Sequence, residues 1–479
     1  MKSHELEAQL TKNLGFDPTA DQQTAIHHIA RFQSSNKPNP VYILKGYAGT
    51  GKTSILGSLV RTLNNTYTKT VLLAPTGRAA KVLSAYTSKT AHTIHRYIYF
   101  IVTGKNGLPV VRLGKNKLKE TVFIVDEASM ISDSSTNNEG GFGGHSLLDD
   151  LVEYIFSSQG NKLILVGDTA QLPPVGLNLS PALDLNFLKT AYNVTAHSFE
   201  MKDVMRQSLD SGILFSATSL RLKLTSNSSD LPLLELDGFK DDVKVIESAY
   251  DFEEVLQINF SDKDQNSSVL VCRTNKRANI FNQQIRKAIL LRDEELEAGD
   301  KLMIVKNNYF WLDETSKAGF IANGEMIEIL KLINIEDIYG FRFAEADVRL
   351  IDYPDEEVLR VKLLLDTINT DGPGLNIEER NRLFETILED YADHGSRGQR
   401  VAQVMINPYF NALHVKFAYA MTCHKTQGGQ WPTVIIDQGW LTDEMINTEF
   451  LRWLYTAFTR ATQKLYLINF REDLFSGKD

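Results

Sequence analysis

The residues with the clearest chemical meaning lie in the segment GYAGTGKT, from Gly46 to Thr53. This segment fits the pattern GxxxxGK[ST] and stands between a strand-like run and a helix-like run, which is the context of a phosphate-binding loop. Glycines let successive backbone N–H groups converge on one concavity, and the helix that follows adds the positive end of its dipole. We therefore expect ATP and Mg²⁺ as cofactors, with Lys52 on the β- and γ-phosphates and Thr53 on the metal. The residues expected to bind nucleotide here are Gly46, Ala48, Gly49, Thr50, Gly51, Lys52 and Thr53.

Two acidic residues, Asp126 and Glu127, end the apolar run VFIV. Ligands bind at the carboxyl ends of strands in open α/β sheets, so this pair is expected to face the phosphate loop. Asp126 can hold Mg²⁺, and Glu127 can orient and deprotonate a water molecule, which favours hydrolysis over transfer to a small acceptor.

A further polar side chain, Gln171, lies in the segment GDTAQLPPVG. Its amide can hydrogen-bond a γ-phosphate and lose that bond on hydrolysis, and the stiff Pro-Pro step can transmit the change. A simple proline turn is the alternative interpretation.

Short apolar runs alternate with helical patterns through the first 200 residues, and the same alternation returns after residue 267. This pattern is typical of βαβ units and predicts parallel sheets that are buried on both faces. The fold class expected is α/β, with one parallel-sheet domain followed by a second domain that is interrupted. The predicted ranges are 1–200 for the first domain and 201–308 with 412–479 for the second.

Two insertions interrupt this alternation. Alternating strand-like runs at 309–411 predict a small antiparallel barrel that carries a helical insertion. Two strand-like runs around a Gly-Lys-Asn-Gly turn predict a β-hairpin at 96–118. The stretch 132–145, rich in Gly, Ser and Asn, is expected to be a solvated loop.

The composition restricts the classes of protein that the chain can belong to. Its 479 residues indicate about three domains, and no apolar run is long enough to span a bilayer. The amino terminus has no hydrophobic segment typical of a secretory signal, so a cytoplasmic location is expected. Cys272 and Cys423 lie in apolar runs without CxxC spacing, which predicts reduced core residues and no zinc site. The net charge of -9 still permits a local basic groove for nucleic acid.

The motifs also have a characteristic order along the chain. From Gln22 to Arg460 it contains PTADQQTA, GYAGTGKT, APTGRAAKVL, AHTIHRYI, VDEAS, GDTAQLPPVG, VMRQ, AYAMTCHKTQGGQW and YTAFTRA. Each block is modest by itself, but the ordered set resembles the superfamily 1B helicases, and most of all the RecD-like and Dda-like DNA helicases.

The resemblance implies that the two α/β domains are tandem RecA-like P-loop motor domains and that the barrel at 309–411 is an SH3-like domain. It also implies how a nucleotide site is completed from both motor domains. Arg206 and Arg460 match the arginines of the family that touch the γ-phosphate, where a guanidinium neutralises developing charge. Gln22 matches the position that reads the adenine edge. In the segment MTCHKTQGGQ, Gln427 and Gly428 would face the cleft between the domains. This chain has Gln430 where relatives commonly carry Glu, so a charged contact to the ribose is not expected. With Lys52, Asp126, Glu127 and Gln171, the two arginines form the expected catalytic set.

The resemblance also implies a surface for single-stranded DNA. The residues expected to contact the strand are Pro75, Thr76, Arg78, Thr93, His95, Thr422 and His424. The hairpin corresponds in position to the wedge that splits the duplex, and Tyr97, Tyr99 and Phe100 offer aromatic surface for an opened base. The alternative for Thr76 is a helix cap, and both roles are compatible.

These features together predict an ATP-dependent DNA helicase that translocates on single-stranded DNA, with the 5′ to 3′ direction implied by the resemblance alone. Its expected partners are single-stranded DNA and junctions of single- and double-stranded DNA, and the expected state is a monomer away from membranes. Two alternatives stay open: a single-strand clamp within a recombination complex and an RNA-directed motor of the same superfamily. A P-loop kinase is disfavoured by the second motor domain and its arginine.

Overall fold

The computed structural model describes residues 2–476 except 104–108, 134–145, 205–210, 227–229, 232, 236–240, 262–266, 313–315, 317–319, 354, 371, 373 and 394. At 101–103 and 109–111 it describes the backbone alone. Arg206 and most of the loop predicted at 132–145 therefore lie outside the described residues.

The first unit is built on a six-stranded sheet with the order β3-β2-β6-β7-β1-β8, in which every neighbouring pair is parallel. Parallel strands end at one edge, so β1, β2, β6 and β7 bring the phosphate loop, Thr76, Asp126 and Asp168 to the same side of the sheet. The elements are α1 (Ser3–Leu14), α2 (Ala20–Gln33), β1 (Pro40–Gly46), α3 (Lys52–Asn65), β2 (Thr70–Ala74), α4 (Gly77–Thr87), β3 (Ala91–Thr93), α5 (Ile94–Ile98), β4 (Tyr99–Thr103), β5 (Pro109–Leu113), β6 (Val122–Val125), α6 (Leu147–Phe156), β7 (Lys162–Gly167), α7 (Leu185–Tyr192) and β8 (Thr195–Met201).

The second unit contains a five-stranded parallel sheet with the order β10-β19-β18-β11-β17. Its inner strands β11 and β18 are almost wholly buried, as expected for a parallel sheet covered on both faces. The elements are α8 (Gly212–Thr225), β9 (Leu234–Glu235), β10 (Val243–Ile246), α9 (Ala249–Phe260), β11 (Ser268–Cys272), α10 (Asn275–Gln284), β12 (Lys301–Ile304), β13 (Met326–Ile338), β14 (Phe341–Leu350), β15 (Leu359–Leu364), α11 (Ile377–Asp390), α12 (Arg397–Met405), β16 (Leu413–Phe417), β17 (Ala420–Thr422), α13 (Cys423–Thr426), β18 (Trp431–Asp437), α14 (Thr448–Phe458), β19 (Ala461–Ile468) and β20 (Phe475–Ser476).

A closed barrel of the strands β12-β13-β14-β15-β16 interrupts the second unit. The prediction of two parallel α/β units with a barrel insertion is confirmed, but the barrel takes in more of the chain than the predicted 309–411. Its first strand begins at Lys301 and its last strand ends at Phe417. Both of these strands are short apolar runs, so composition alone assigned them to the neighbouring parallel sheet.

The run HVKFAYAM, at 414–421, is divided between the barrel and the second sheet, although its residues by themselves favour one continuous strand. The part up to Phe417 is β16 of the barrel, and Ala420 starts β17 of the sheet. The buried Asn282 side chain holds the break, because its Oδ1 accepts from the backbone N–H groups of Tyr419 and Ala420 at 3.1 and 2.8 Å. This partner lies more than 130 residues away in the chain.

The hairpin β4–β5 is antiparallel and pairs Tyr99 with Leu113. Its predicted start at residue 96 is wrong, since Ile94–Ile98 forms the helix α5. Tyr97 packs edge-on against Phe123, and the Tyr99 hydroxyl donates to Asp150 at 2.6 Å. Phe100 is 46% exposed, so it is the ring of the three that the fold presents to solvent.

The two units share one apolar core. Ala170 and Leu172 of the first unit cluster with Leu454 and Phe458 on α14 of the second. Because this contact excludes water, polar groups at its border interact more strongly than they would at an open surface. Cys272 and Cys423 are buried free cysteines, which confirms the prediction of reduced core residues.

Candidate nucleotide site and nucleic-acid groove

The phosphate loop joins β1 to α3 as the sequence predicted. Gly49 and Gly51 have φ angles of +77° and +86°, a conformation that glycine adopts without a Cβ penalty. The Lys52 ammonium donates to the Gly46 carbonyl at 2.5 Å and the Tyr47 carbonyl at 3.0 Å. The loop backbone therefore holds the lysine amine at the carboxyl edge of the sheet.

Gln22 supports the phosphate loop from beneath and is completely buried. Its Nε2 donates to the Thr50 carbonyl at 3.0 Å, and its Oε1 accepts from the Thr19 N–H at 3.1 Å. Both ends of the amide are thus bonded within the protein. Reading an adenine edge would require one of these hydrogen bonds to be exchanged.

Asp126 and Glu127 lie beside the loop, at the carboxyl end of β6, and both are partly buried. Burial raises the pKa of both carboxyls. For Asp126 this is opposed by hydrogen bonds from the Tyr86 hydroxyl at 2.5 Å and the Glu127 N–H at 2.9 Å. Glu127 has a left-handed backbone with φ +53°, and the charges of Arg460 and Lys52 favour its ionised form. A partly buried carboxylate whose ionised form is favoured by two nearby cations suits a general base.

Asp168 is a third carboxylate at this edge, it is fully buried, and the sequence analysis missed it. It ends the run KLILVG, accepts from the Ala170 N–H at 2.9 Å, and lies 3.8 Å from the Lys52 ammonium. The signal was present in the sequence, because Asp168 follows its strand as Asp126 does. In the segment GDTAQLPPVG the sequence analysis assigned Gln171, three residues later, to the phosphate site and not Asp168.

Tyr455 on α14 connects the second unit directly to the phosphate loop. Its buried hydroxyl accepts from the Ala48 N–H at 2.8 Å and donates to Asp168 at 2.7 Å. No sequence signal distinguishes this tyrosine from the apolar residues of its helix. Its role comes only from the packing of the two units.

The segment that carries Gln171 is clasped by the second unit. The Leu172 N–H donates to the Thr456 hydroxyl at 2.9 Å, and the Leu172 carbonyl accepts from Gln427 Nε2 at 2.6 Å. Gln171 itself is 6% exposed, and its Oε1 has no hydrogen-bond partner among the described residues. A buried amide oxygen without a partner is costly, which fits a group that accepts from a bound water molecule when the nucleotide is present.

Arg460 is 3% exposed at the junction of the two units. Its guanidinium donates to the carbonyls of Thr456 and Gly429 at 3.0 and 3.1 Å and to the Thr459 hydroxyl at 3.1 Å. Its charge acts on Glu127 more strongly than any other neighbouring charge does. The fold therefore brings Arg460 together with Lys52 and Glu127.

Gly428 and Gly429 bring the second unit against the start of α4. Gly428 has φ +73°, and an added Cβ would lie 2.8 Å from Ala79 Cβ and 3.0 Å from Thr76 Oγ1. Arg78 stacks on Trp431 with its guanidinium carbon 3.8 Å from the ring centre. These contacts join the segments APTGRAA and HKTQGG, which the sequence assigned separately to the strand and to the cleft.

The residues predicted to contact the strand are not equally accessible. Thr76 and Thr93 each cap a helix, accepting from Ala79 N–H and Arg96 N–H, and Thr93 is only 3% exposed. Burial lowers the pKa of His95 to about 4, so this imidazole is neutral at pH 7. Pro75, at the end of β2, is partly exposed.

Thr422 and His424 line an open groove with a volume of about 550 Å³. We call this feature the groove; its lining residues are Val175, Arg273, Thr274, Asn275, Lys276, Thr422, His424 and Lys425. The sequence analysis missed the part that comes from β11 and α10. Burial lowers the pKa of Lys425 to about 8, which still leaves it mostly cationic at pH 7. The groove thus has the basic lining that phosphates require.

Comparisons with known proteins identify related families for both units. Residues 18–226 match the family of the AAA domain, and residues 417–468 match the UvrD-like helicase C-terminal domain. The ATP-dependent DNA helicase dda of Enterobacteria phage T4 is 23% identical over 86% of this chain and 91% of its own length. The ATP-dependent RecD2 DNA helicase of Deinococcus radiodurans is 30% identical over 37% of this chain, a match that spans 21% of that relative.

The solved structure of Pif1 helicase from Bacteroides in complex with ADP-AlF3 and ssDNA is 14% identical, with a TM-score of 0.46 over 97% of this chain and 95% of that one. In the described part of the chain, no helix has the length and apolar character needed to cross a membrane.

Proposed function

The chain belongs to superfamily 1B of the helicases, and we propose that it is an ATP-dependent DNA helicase that moves along single-stranded DNA. The observation that carries the proposal is the position of Arg460, which comes from the second unit yet acts on Glu127 beside Lys52. A hydrolytic site assembled from two units closes and opens as they move, which couples ATP turnover to mechanical work.

Within this site each side chain has a proposed role in hydrolysis. Lys52 and the loop N–H groups bind the β- and γ-phosphates, and Glu127 orients and deprotonates the attacking water. Arg460 neutralises charge that develops on the transferred group, and the proposed second arginine is Arg206. Gln171 is proposed to offer its amide to the γ-phosphate.

The residues proposed for the metal fit Mg²⁺. Thr53 is exposed at the start of α3, and Asp126 lies close enough to Lys52 for its charge to lower the pKa of the carboxyl. Hydroxyl and carboxylate oxygens are the ligands that Mg²⁺ prefers, and the ion would neutralise phosphate charge.

The coupling to the strand is proposed to run through the segment MTCHKTQGGQ. Gln427 holds the carbonyl next to Gln171, while Thr422 and His424 of the same segment line the groove. A change at the γ-phosphate therefore reaches the groove through fewer than ten residues of this segment. In the hairpin, the exposed ring of Phe100 is the proposed wedge, since stacking of about 1–3 kcal/mol per base is comparable with a duplex step of about 1.4 kcal/mol.

One chain supplies both halves of the site, so the proposed working form is a monomer on single-stranded DNA or on a junction with duplex. A clamp without activity is disfavoured, because it has no use for a buried arginine beside Glu127. An RNA-directed motor is the remaining alternative, since phosphate contacts distinguish DNA from RNA poorly.

The test combines hydrolysis with unwinding. Wild type is expected to show DNA-stimulated ATPase activity and Lys52→Ala none, and equal background rates for both would favour the clamp. Forked duplexes with a 5′ or a 3′ tail then report direction: opening of the 5′-tailed fork with ATP is expected, and opening of 3′-tailed forks alone would contradict it. Competition of RNA against DNA for ATPase stimulation separates the remaining alternative.

A further inference from the structure

Trp440 is an exposed indole in the loop that follows β18, with 76% of its surface accessible. Of the four tryptophans in the chain, Trp431 and Trp453 are buried and Trp311 is partly buried. An indole is a large apolar surface, and most are buried in a core or at an interface. Its exposure therefore requires an explanation in the loop that carries it.

The loop is held in place on both sides of Trp440. The Trp440 carbonyl accepts from Arg273 Nη1 at 3.2 Å, and the Gln438 side chain accepts from the Arg471 N–H at 3.0 Å. Leu441, the next residue, is buried. The exposed indole thus stands on a fixed backbone, and its accessibility is a property of the fold.

This fixed loop borders the groove. Arg273 both lines the groove and binds the Trp440 carbonyl. On α10, Arg277 anchors the end of β18 through two hydrogen bonds to Asp437 at 2.8 and 2.6 Å, and the first residues of that helix line the groove. Trp440 therefore lies on the rim.

The charge of the groove indicates what its occupant is. Arg273, Lys276 and Lys425 are basic residues of the lining, and none of the described residues that line it carries a carboxylate. His424 adds an imidazole whose pKa is lowered by burial. A basic groove bordered by an exposed aromatic ring is the arrangement with which proteins bind single-stranded nucleic acid without reading its sequence.

We propose that Trp440 is a stacking platform for a base of the single strand whose phosphates lie in the groove. The inference rests on the proposed function and deepens it, because it assigns a base contact to the second unit. Stacking on an indole is tolerant of sequence, since every base has a π-face, and it suits a motor that advances over any sequence.

The test compares variants on two ligands of equal length and charge, oligodeoxythymidylate and an abasic oligonucleotide, by fluorescence anisotropy. Trp440→Ala is expected to weaken binding of oligodeoxythymidylate about tenfold and binding of the abasic strand by less than about twofold. Trp440→Phe should recover most of the loss, because it retains a ring. Tyr250→Ala is the matched control, since Tyr250 is 77% exposed but lies on α9, none of whose residues lines the groove.

Salt dependence provides a second readout. Trp440→Ala should leave the slope of log Kd against log salt unchanged, because an indole releases no counterions from phosphates. Normal binding of oligodeoxythymidylate by Trp440→Ala, or equal weakening on both ligands, would overturn the inference while leaving the proposed function intact. A wild-type chain that binds neither oligonucleotide would overturn both.

Discussion

Tyr455→Phe removes one hydroxyl from the junction of the two units, and we expect it to tighten nucleotide binding. The hydroxyl accepts from the Ala48 N–H, an amide of the phosphate loop, at 2.8 Å and donates to Asp168 at 2.7 Å. A phosphate oxygen that takes this N–H must first displace the tyrosine oxygen. Phenylalanine keeps the ring and its packing, and it leaves the amide available.

The magnitude follows from the bond that binding must break. A buried hydrogen bond between neutral groups contributes about 1 kcal/mol net, which corresponds to about a fivefold lower Kd in the variant. The lost bond to the Asp168 carboxylate acts on stability instead, by about 1.5–3 kcal/mol. That loss is limited because Asp168 keeps the Ala170 N–H at 2.9 Å and the Lys52 ammonium at 3.8 Å.

The assay is calorimetric titration of the DNA-free protein with a non-hydrolysable ATP analogue in the presence of Mg²⁺. Tyr47→Phe is the matched control, since it removes a hydroxyl of the same loop that donates to Glu200 at 3.2 Å and blocks no loop amide. The control should bind within about twofold of wild type. Unchanged or weaker binding by Tyr455→Phe would refute the reasoning, because it would mean that the hydroxyl assists the nucleotide.

Three further predictions concern the cleft and the barrel. Arg460→Lys keeps the positive charge but loses the planar guanidinium, which binds two carbonyls and a hydroxyl. The rate of single-turnover ATP hydrolysis should therefore fall by about 10³. A fall of less than tenfold would contradict the role of Arg460 as an arginine finger. Gly428→Ala should lower ATPase activity, because the added Cβ would lie 2.8 Å from the Cβ of Ala79 and Gly428 has φ +73°. Gly15→Ala is the control, since Gly15 has φ +84° but its added Cβ would meet no atom within 4 Å. Equal activity of the two variants would show that the contact with Ala79 is unimportant. Burial raises the pKa of Glu325 from 4.5 to about 8. Between these two values the folded state keeps a proton that the unfolded state loses. The stability that this group contributes is therefore present below pH 4.5 and is lost as the pH rises to about 8. The free energy of unfolding, measured in urea at pH 5.5 and pH 8, should depend less on pH in Glu325→Gln than in wild type. One proton corresponds to about 1.4 kcal/mol per pH unit. An identical pH dependence in the variant would exclude Glu325 as its source.

Local sequence predicted much of the architecture, and the features that it did not predict have a physical explanation. Apolar runs alternating with helical patterns predicted both parallel sheets, because strands buried on two faces must be continuously apolar. The same feature hid the ends of the barrel, since β12 and β16 are also short apolar runs. Nothing between Phe417 and Ala420 announces that the chain changes sheets there, because the group that holds the break, Asn282, is distant in sequence.

Residue types also left the use of polar groups undecided. Gln22 and Thr93 were assigned to ligands, yet their side chains form hydrogen bonds within the protein. A buried amide or hydroxyl must find a partner, and sequence does not say whether that partner is a ligand or the backbone. Asp168 and Gln171 lie in one segment, and only the three-dimensional arrangement shows that Asp168 is the one next to Lys52.

By itself the sequence determined the phosphate loop, the acidic pair after β6 and the order of motifs along the chain. These features depend on neighbours in the chain, where a strand, a glycine turn and a helix position their own side chains. The tertiary structure decided what crosses between the units: Tyr455 on Ala48 and Asp168, and Arg460 toward Glu127. These contacts join residues up to 407 positions apart, and they exist because two apolar surfaces pack in one orientation, which the local pattern of neither surface specifies.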